Sequence, residues 1–174
     1  MATISLYDAS IGVSTNALLT LLDIMKKAQA HAEAETLASC RLIEDMLPFS
    51  QQVLIVSNFA KKYVERLTGR ELEVWEDNET TLEQLVARVQ KTLDLLKTVS
   101  RADVDGAQRA KVSLKIGPFD PVDVTVQEYV LGYGMPNTMF HLTTAYDILR
   151  MKGLDLGKKD FLTHYTAGWF PVPK

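Results

Sequence analysis

The sequence predicts an all-α fold: a four-helix bundle with one small β-hairpin between its third and fourth helices. Three observations predict it. Four long stretches place apolar residues at helical spacing. A single stretch, near residues 111–126, alternates with period two instead. At 174 residues and 47% hydrophobic, the chain is long and apolar enough to bury four such faces in one core.

The first helix is read from Ile4 to Ala30, on a stripe of Leu6, Val13, Ala17, Leu21, Ile24 and Ala28 widened by Leu18, Leu22 and Met25. Ser10 and Ser14 interrupt that stripe and suit a close helix contact. A short helical piece is expected within Ala34 to Cys40. Pro48 suits the first turn of the second long helix, which Gly69 stops. Its stripe is Phe49, Val53, Val56, Ala60, Val64 and Leu67. A polar connection, Arg70 to Asn78, contains Trp75. Thr80 or Thr81 then caps the third helix, whose stripe runs Leu82, Leu85, Val89, Leu93, Leu96 and Val99.

The hairpin is read from Val112, Leu114 and Ile116 against Val122, Val124 and Val126, joined by a loop with Pro118 and Pro121. The fourth helix spans Glu128 to Lys152, with a kink expected at Gly134 and Pro136. It is apolar nearly all round, which predicts a central position. Asp147 and Arg150 lie three residues apart on its polar strip and are expected to pair. Beyond Gly153 no helical pattern is visible, and Phe161, Tyr165, Trp169 and Phe170 predict a tail wrapped on the body. The chain is thus divided into a bundle over 1–162 and an aromatic tail over 163–174.

Composition excludes several functions. Nineteen Lys and Arg against 22 Asp and Glu leave a net charge of −3, so no nucleic-acid partner is expected. No apolar run reaches the length of a membrane span, and the first ten residues carry no secretory pattern, so a cytoplasmic location is expected. The one cysteine, Cys40, excludes an intrachain disulfide and a cysteine-based zinc site. Phosphate-cradling and dinucleotide glycine motifs are missing.

Candidate chemistry concentrates on the fourth helix. His141 falls on its non-solvent side, in the middle of the bundle, where bundles place their sites. Gln52 lies on the apolar side of the second helix, where it either ties a loop or helix end to the core or faces the same cavity as His141. Tyr129, Tyr133 and Asn137 surround two glycines and a proline, where a ligand can approach backbone closely. Phe140 and Trp169 are candidate apolar walls. With only His31, His141 and His164 in the chain, a three-histidine metal site would need all of them.

Several segments carry a family pattern. They are Pro136-Asn137 and Phe140-His141 through Arg150, followed by Gly153 and Gly157 to Leu162. Ile4 to Asp8, Asp45 to Phe49 with Gln52-Val53, and Glu76 to Thr81 fit it too. The pattern resembles a family of proteins with a domain of unknown function, similar to the DinB/YfiT-like metalloenzyme superfamily. That resemblance implies an up-down-down-up four-helix bundle. Superfamily members commonly hold a divalent metal through three histidines, and some are thiol-dependent transferases. This chain has Gln52 and Gly132 where relatives would carry histidines, and only His141 carries over.

Three functional readings follow. The first is a small-molecule enzyme or binder with a cavity inside the bundle. It would use cofactor-free acid/base chemistry (isomerisation, cyclisation or dehydration) on an apolar substrate. His141, Tyr133 and Gln52 would be catalytic; Asn137, Tyr129, Phe140 and Trp169 would bind. The second is a divalent-metal-dependent transferase or hydrolase, with His141 and Asp45 as ligands. The third is a non-catalytic dimeric binding module, since the apolar first and third helices permit a homodimer.

Overall fold

The computed structural model describes residues 4–106 and 111–169. In chain order its helices are α1 (Val13–Gln29), α2 (Ala34–Leu37), α3 (Phe49–Thr68), α4 (Leu82–Lys97) and α5 (Arg101–Asp105), then α6 (Val126–Glu128), α7 (Met135–Met151) and α8 (Lys158–Leu162). Two π-helical turns, Asp8–Gly12 and Tyr129–Gly134, lead into α1 and α7. Strands β1 (Lys111–Leu114) and β2 (Val122–Thr125) form one antiparallel pair, with Val112 opposite Val124 and Leu114 opposite Val122. None of the described helices is long and apolar enough to cross a membrane.

The protein is thus mostly helical with one small antiparallel sheet. α3 packs against α1, α4 and α7, and α1 packs against α4 and α7. The buried side chains are those of the predicted stripes: Leu21 and Ile24 from α1, Val53 and Val64 from α3, Leu85 and Val89 from α4, Leu142 and Leu149 from α7. Each such residue contributes roughly 1.5–3 kcal/mol by leaving water. Thr81, rather than Thr80, is the N-cap of α4: its hydroxyl accepts from the Gln84 amide, while the Gln84 side chain accepts from the Thr81 amide.

Several boundaries differ from the sequence reading, each for a local reason. The first helix begins after Ser5, not at Ile4, because the Ser5 hydroxyl accepts from the Asp8 amide and caps it. The hairpin ends before Val126, because Thr125 caps α6 and the Glu128 carboxylate accepts from the Thr125 amide. The tail is not wholly irregular. Asp160 accepts from the Gly157 amide and starts α8, a helix too short to show a period. Residues 170–174, including Phe170, lie outside the described residues. α7 is not enclosed all round, since Phe140 and Met151 face outward. Arg150 does not pair with Asp147; its guanidinium donates to the Leu154 carbonyl just beyond the helix end.

Gly134 has a steric reason to be glycine. A Cβ there would stand 2.3 Å from the Tyr63 hydroxyl oxygen, and Tyr63 is fully buried on α3. The kink expected at this point is a π-turn that lets the two helices approach this closely.

The connection from α3 to α4 has no regular structure, yet one side chain holds it. Arg88 is buried on α4, its side chain only 2% exposed. Its Nε donates to Ser57 Oγ, Nη1 to the Glu76 carbonyl and the Glu79 carboxylate, and Nη2 to Asn58 Oδ1 and the Asp77 carboxylate. All five N–H groups of the guanidinium are therefore used. The Trp75 ring lies 4.9 Å from its central carbon. Arg88→Met leaves Asp77 and the largely buried Glu79 without their cation, so urea unfolding should show a loss of about 3–5 kcal/mol. Proteolytic nicking between residues 70 and 80 should rise with it; an unchanged urea midpoint would refute this role.

Candidate functional site

The site is built where the start of α3 meets the middle of α7. Pro48 enters α3 in an extended conformation, and the first helical amides are tied back: Phe49 to the Cys40 carbonyl and Ser50 to the Ala38 carbonyl. This fixes the Leu47 carbonyl beside the Gln52 side chain, which is 1% exposed. Gln52 Nε2 donates to the Leu47 carbonyl at 2.9 Å. Its Oε1 lies 2.7 Å from His141 Nδ1.

These two contacts determine a tautomer. The amide nitrogen must face the Leu47 carbonyl, because a carbonyl only accepts. The Gln52 oxygen therefore faces His141, and Nδ1 must carry the hydrogen. The lone pair of the neutral ring sits on Nε2, which makes no hydrogen bond among the described residues and is not sealed from solvent. Burial of the ring holds its pKa below the ordinary value of 6.5. At neutral pH the side chain is thus an oriented, uncharged base. The Phe140 ring packs edge-to-face with it, with centroids 5.2 Å apart and planes at 88°.

The other candidates fall elsewhere. Tyr133 is eight residues before His141, about 12 Å along the helix. It packs on Phe59 and Tyr129, and Tyr129 on Tyr63, with the Arg66 guanidinium over the Tyr129 ring. Burial raises the Tyr129 pKa, and its hydroxyl has no partner among the described residues. Asn137 Nδ2 donates to the Tyr133 carbonyl and steadies the π-turn. Trp169 is 72% exposed and lines none of the described depressions. The described depressions open at the surface and none is lined by His141 or Gln52; the cavity expected inside the helices is not among them. One opens beside the dyad and shares Phe140 with it.

A divalent metal, which the resemblance implies, does not suit this donor set. Among the described residues no three His, Cys, Asp or Glu side chains are grouped to hold one. Asp45 is exposed on the loop before α3, and His141 offers one nitrogen, Nε2, with no second donor grouped beside it among the described residues. His164 is committed to Asp23, 2.7 Å away, where it helps hold the C-terminal segment on α1. The Arg88 network went unforeseen, although an arginine within the Leu85–Val89–Thr92 face, preceded by the acidic run Glu76 to Glu79, was its visible signal.

The lowered His141 pKa has a pH consequence. Above 6.5 the ring is neutral in both the folded and unfolded chain, and its contribution to stability is complete. Below 6.5 the unfolded chain binds the proton that the folded site resists, so stability is lost as pH falls through the folded pKa. Urea unfolding at pH 7.5 and at pH 5 should therefore show a steeper loss for the wild type than for His141→Asn. Equal slopes would overturn the buried neutral assignment.

Comparison with known proteins shows the family. The family model described as "Domain of unknown function (DUF1993)" matches residues 6–162. Among solved structures, a DinB family member protein from Shewanella denitrificans is 34% identical. The match covers 97% of this chain and 96% of that one, with a TM-score of 0.84. No curated protein matches. With the family model spanning all four long helices and the site between α3 and α7, the chain belongs to the DUF1993 family and is a DinB-like protein.

Proposed function

We propose that this chain is a small-molecule enzyme or binder that uses His141 Nε2 as a general base on an apolar substrate, without a metal or other cofactor. The up-down-down-up four-helix bundle is part of this reading. It is supported by the packing of α3 on α1, α4 and α7, and by the DinB-like structural relative. The observation that carries the proposal is the Leu47–Gln52–His141 relay. A backbone carbonyl orients an amide, and the amide holds the imidazole in one tautomer with Nε2 free.

The chemistry follows from the relay. Nε2 takes a proton from an acidic C–H next to a substrate carbonyl, leaving an enolate and an imidazolium. The imidazolium keeps donating Nδ1–H to Gln52 Oε1, so the positive charge forms without rearrangement. Returning the proton to a different carbon completes an isomerisation, and no electrons are gained or lost. Gln52 is a positioning residue. Phe140 supplies an apolar wall against the ring. Tyr129, Tyr133 and Asn137 support the π-turn from which α7 starts.

The test is proton exchange. A panel of apolar ketones and aldehydes is incubated with the protein in deuterated water, and deuterium uptake is followed by mass spectrometry. Uptake should be catalysed for one class of compound and fall by about 10²–10⁴-fold in His141→Ala. The rate should rise with pH through a pKa below 6.5, since the base must be neutral. Gln52→Glu should move that limb upward, because a carboxylate favours the imidazolium. Uptake equal in wild type and His141→Ala would overturn the assignment.

A further inference from the structure

Beside the dyad, a depression of about 500 Å³ opens between the loop before α3 and the outer face of α7. Its surface is mainly apolar, from Leu42, Met46, Pro136, Met139 and Phe140. Phe140 is 58% exposed, an unusual position for an aromatic ring on a rigid helix in a depression with other apolar groups. The only charged group in the lining is Asp147. It makes no ion pair and no hydrogen bond among the described residues. Arg150, its expected partner, is turned to the Leu154 carbonyl. Arg41 donates to the Met46 carbonyl and, like Glu44 and Asp45, does not line the depression. Thr144 returns its hydroxyl to the Phe140 carbonyl.

From this charge arrangement we infer that the depression binds an amphiphilic organic cation, a primary ammonium carried on an aryl or short alkyl body. The body covers Phe140, Leu42 and Met139, and the ammonium meets Asp147. A neutral or anionic apolar ligand would take water from the Asp147 carboxylate and return no cation. A second copy of the chain placed face to face would cover two Asp147 carboxylates with no cation in either lining. The site shares Phe140 with the dyad, but its charge preference rests on Asp147 and does not depend on base chemistry at His141.

Titration calorimetry with three probes of similar size tests the inference: 2-phenylethylammonium, 2-phenylethanol and 3-phenylpropionate. The ammonium should bind wild type about tenfold more tightly than the alcohol, the carboxylate most weakly, as expected of a partly desolvated ion pair. Asp147→Asn should abolish the preference for the ammonium and leave the affinity for the alcohol unchanged. Phe140→Ala should weaken the ammonium and the alcohol alike. His141→Ala should preserve the order of the three, which separates this site from the base reading. Equal binding of all three probes, no binding of the ammonium, or a preference that survives Asp147→Asn would overturn it. So would a concentration-dependent NMR shift at Phe140 in ligand-free protein, which would mean that a second copy covers the face.

Discussion

Arg88 has five N–H groups and almost no water to give them to, and the upper half of the α3–α4 contact is arranged around that constraint. Its Nε donates to Ser57; Thr92 spends its own hydroxyl hydrogen on the Arg88 carbonyl, so Ser57 must donate to Thr92. The hydrogen bonds thus run from Arg88 through two hydroxyls and back to Arg88. Its outer nitrogens reach the connection and fix it through Glu76, Asp77 and Glu79. A buried guanidinium is costly unless every donor is used. Here all five donors are paired, and the same bonds hold in place a segment that has no ladder of its own. With the connection fixed, α4 starts at a defined point, capped by Thr81, and its apolar stripe meets α1 and α3 in register.

The same logic, on a smaller scale, builds the site. Gln52 is as buried as the leucines beside it, and both ends of its amide are satisfied, one by backbone and one by the imidazole. Buried polar groups that are fully paired make a position specific, because any other rotamer leaves an orphan. The orientation of His141 therefore traces back to the turn at Pro48 and to the backbone bonds from Phe49 and Ser50. Near the start of α7 the constraint is steric. Gly134 lets Tyr63 pass, and the π-turn takes up the extra residue that this approach requires.

The four long helices and the hairpin were legible because each buries a face, and a buried face writes a period into the sequence. Leu82 to Leu96 and Phe49 to Leu67 are the clearest cases. The pairing of Gln52 with His141 was half legible. Both lie on apolar stripes, which says that each needs a partner, and spacing alone cannot say that they meet across 89 positions. Features written in one or two residues were not legible. A single Asp160 starts α8, and a single Ser5 caps the first helix. Asp147 and Arg150 show the reverse error. Helical spacing permits that pair, but the guanidinium goes instead to the Leu154 carbonyl, which also accepts from the Leu156 amide just beyond the helix end.

A purely structural account of His141 explains one ring nitrogen and leaves the other idle. If the dyad served only to join α3 to α7, two apolar side chains of similar volume would do so without the cost of desolvating an amide and an imidazole. The cost is incurred, and its visible result is a neutral ring held in one tautomer with its lone pair outward. Phe140 stands at the junction of that imidazole with the open depression, packed perpendicular to the one and lining the other. A molecule bound in the depression would therefore cover a ring that borders the imidazole, while its charge preference would be set by Asp147, the charged group of that lining, and not by His141.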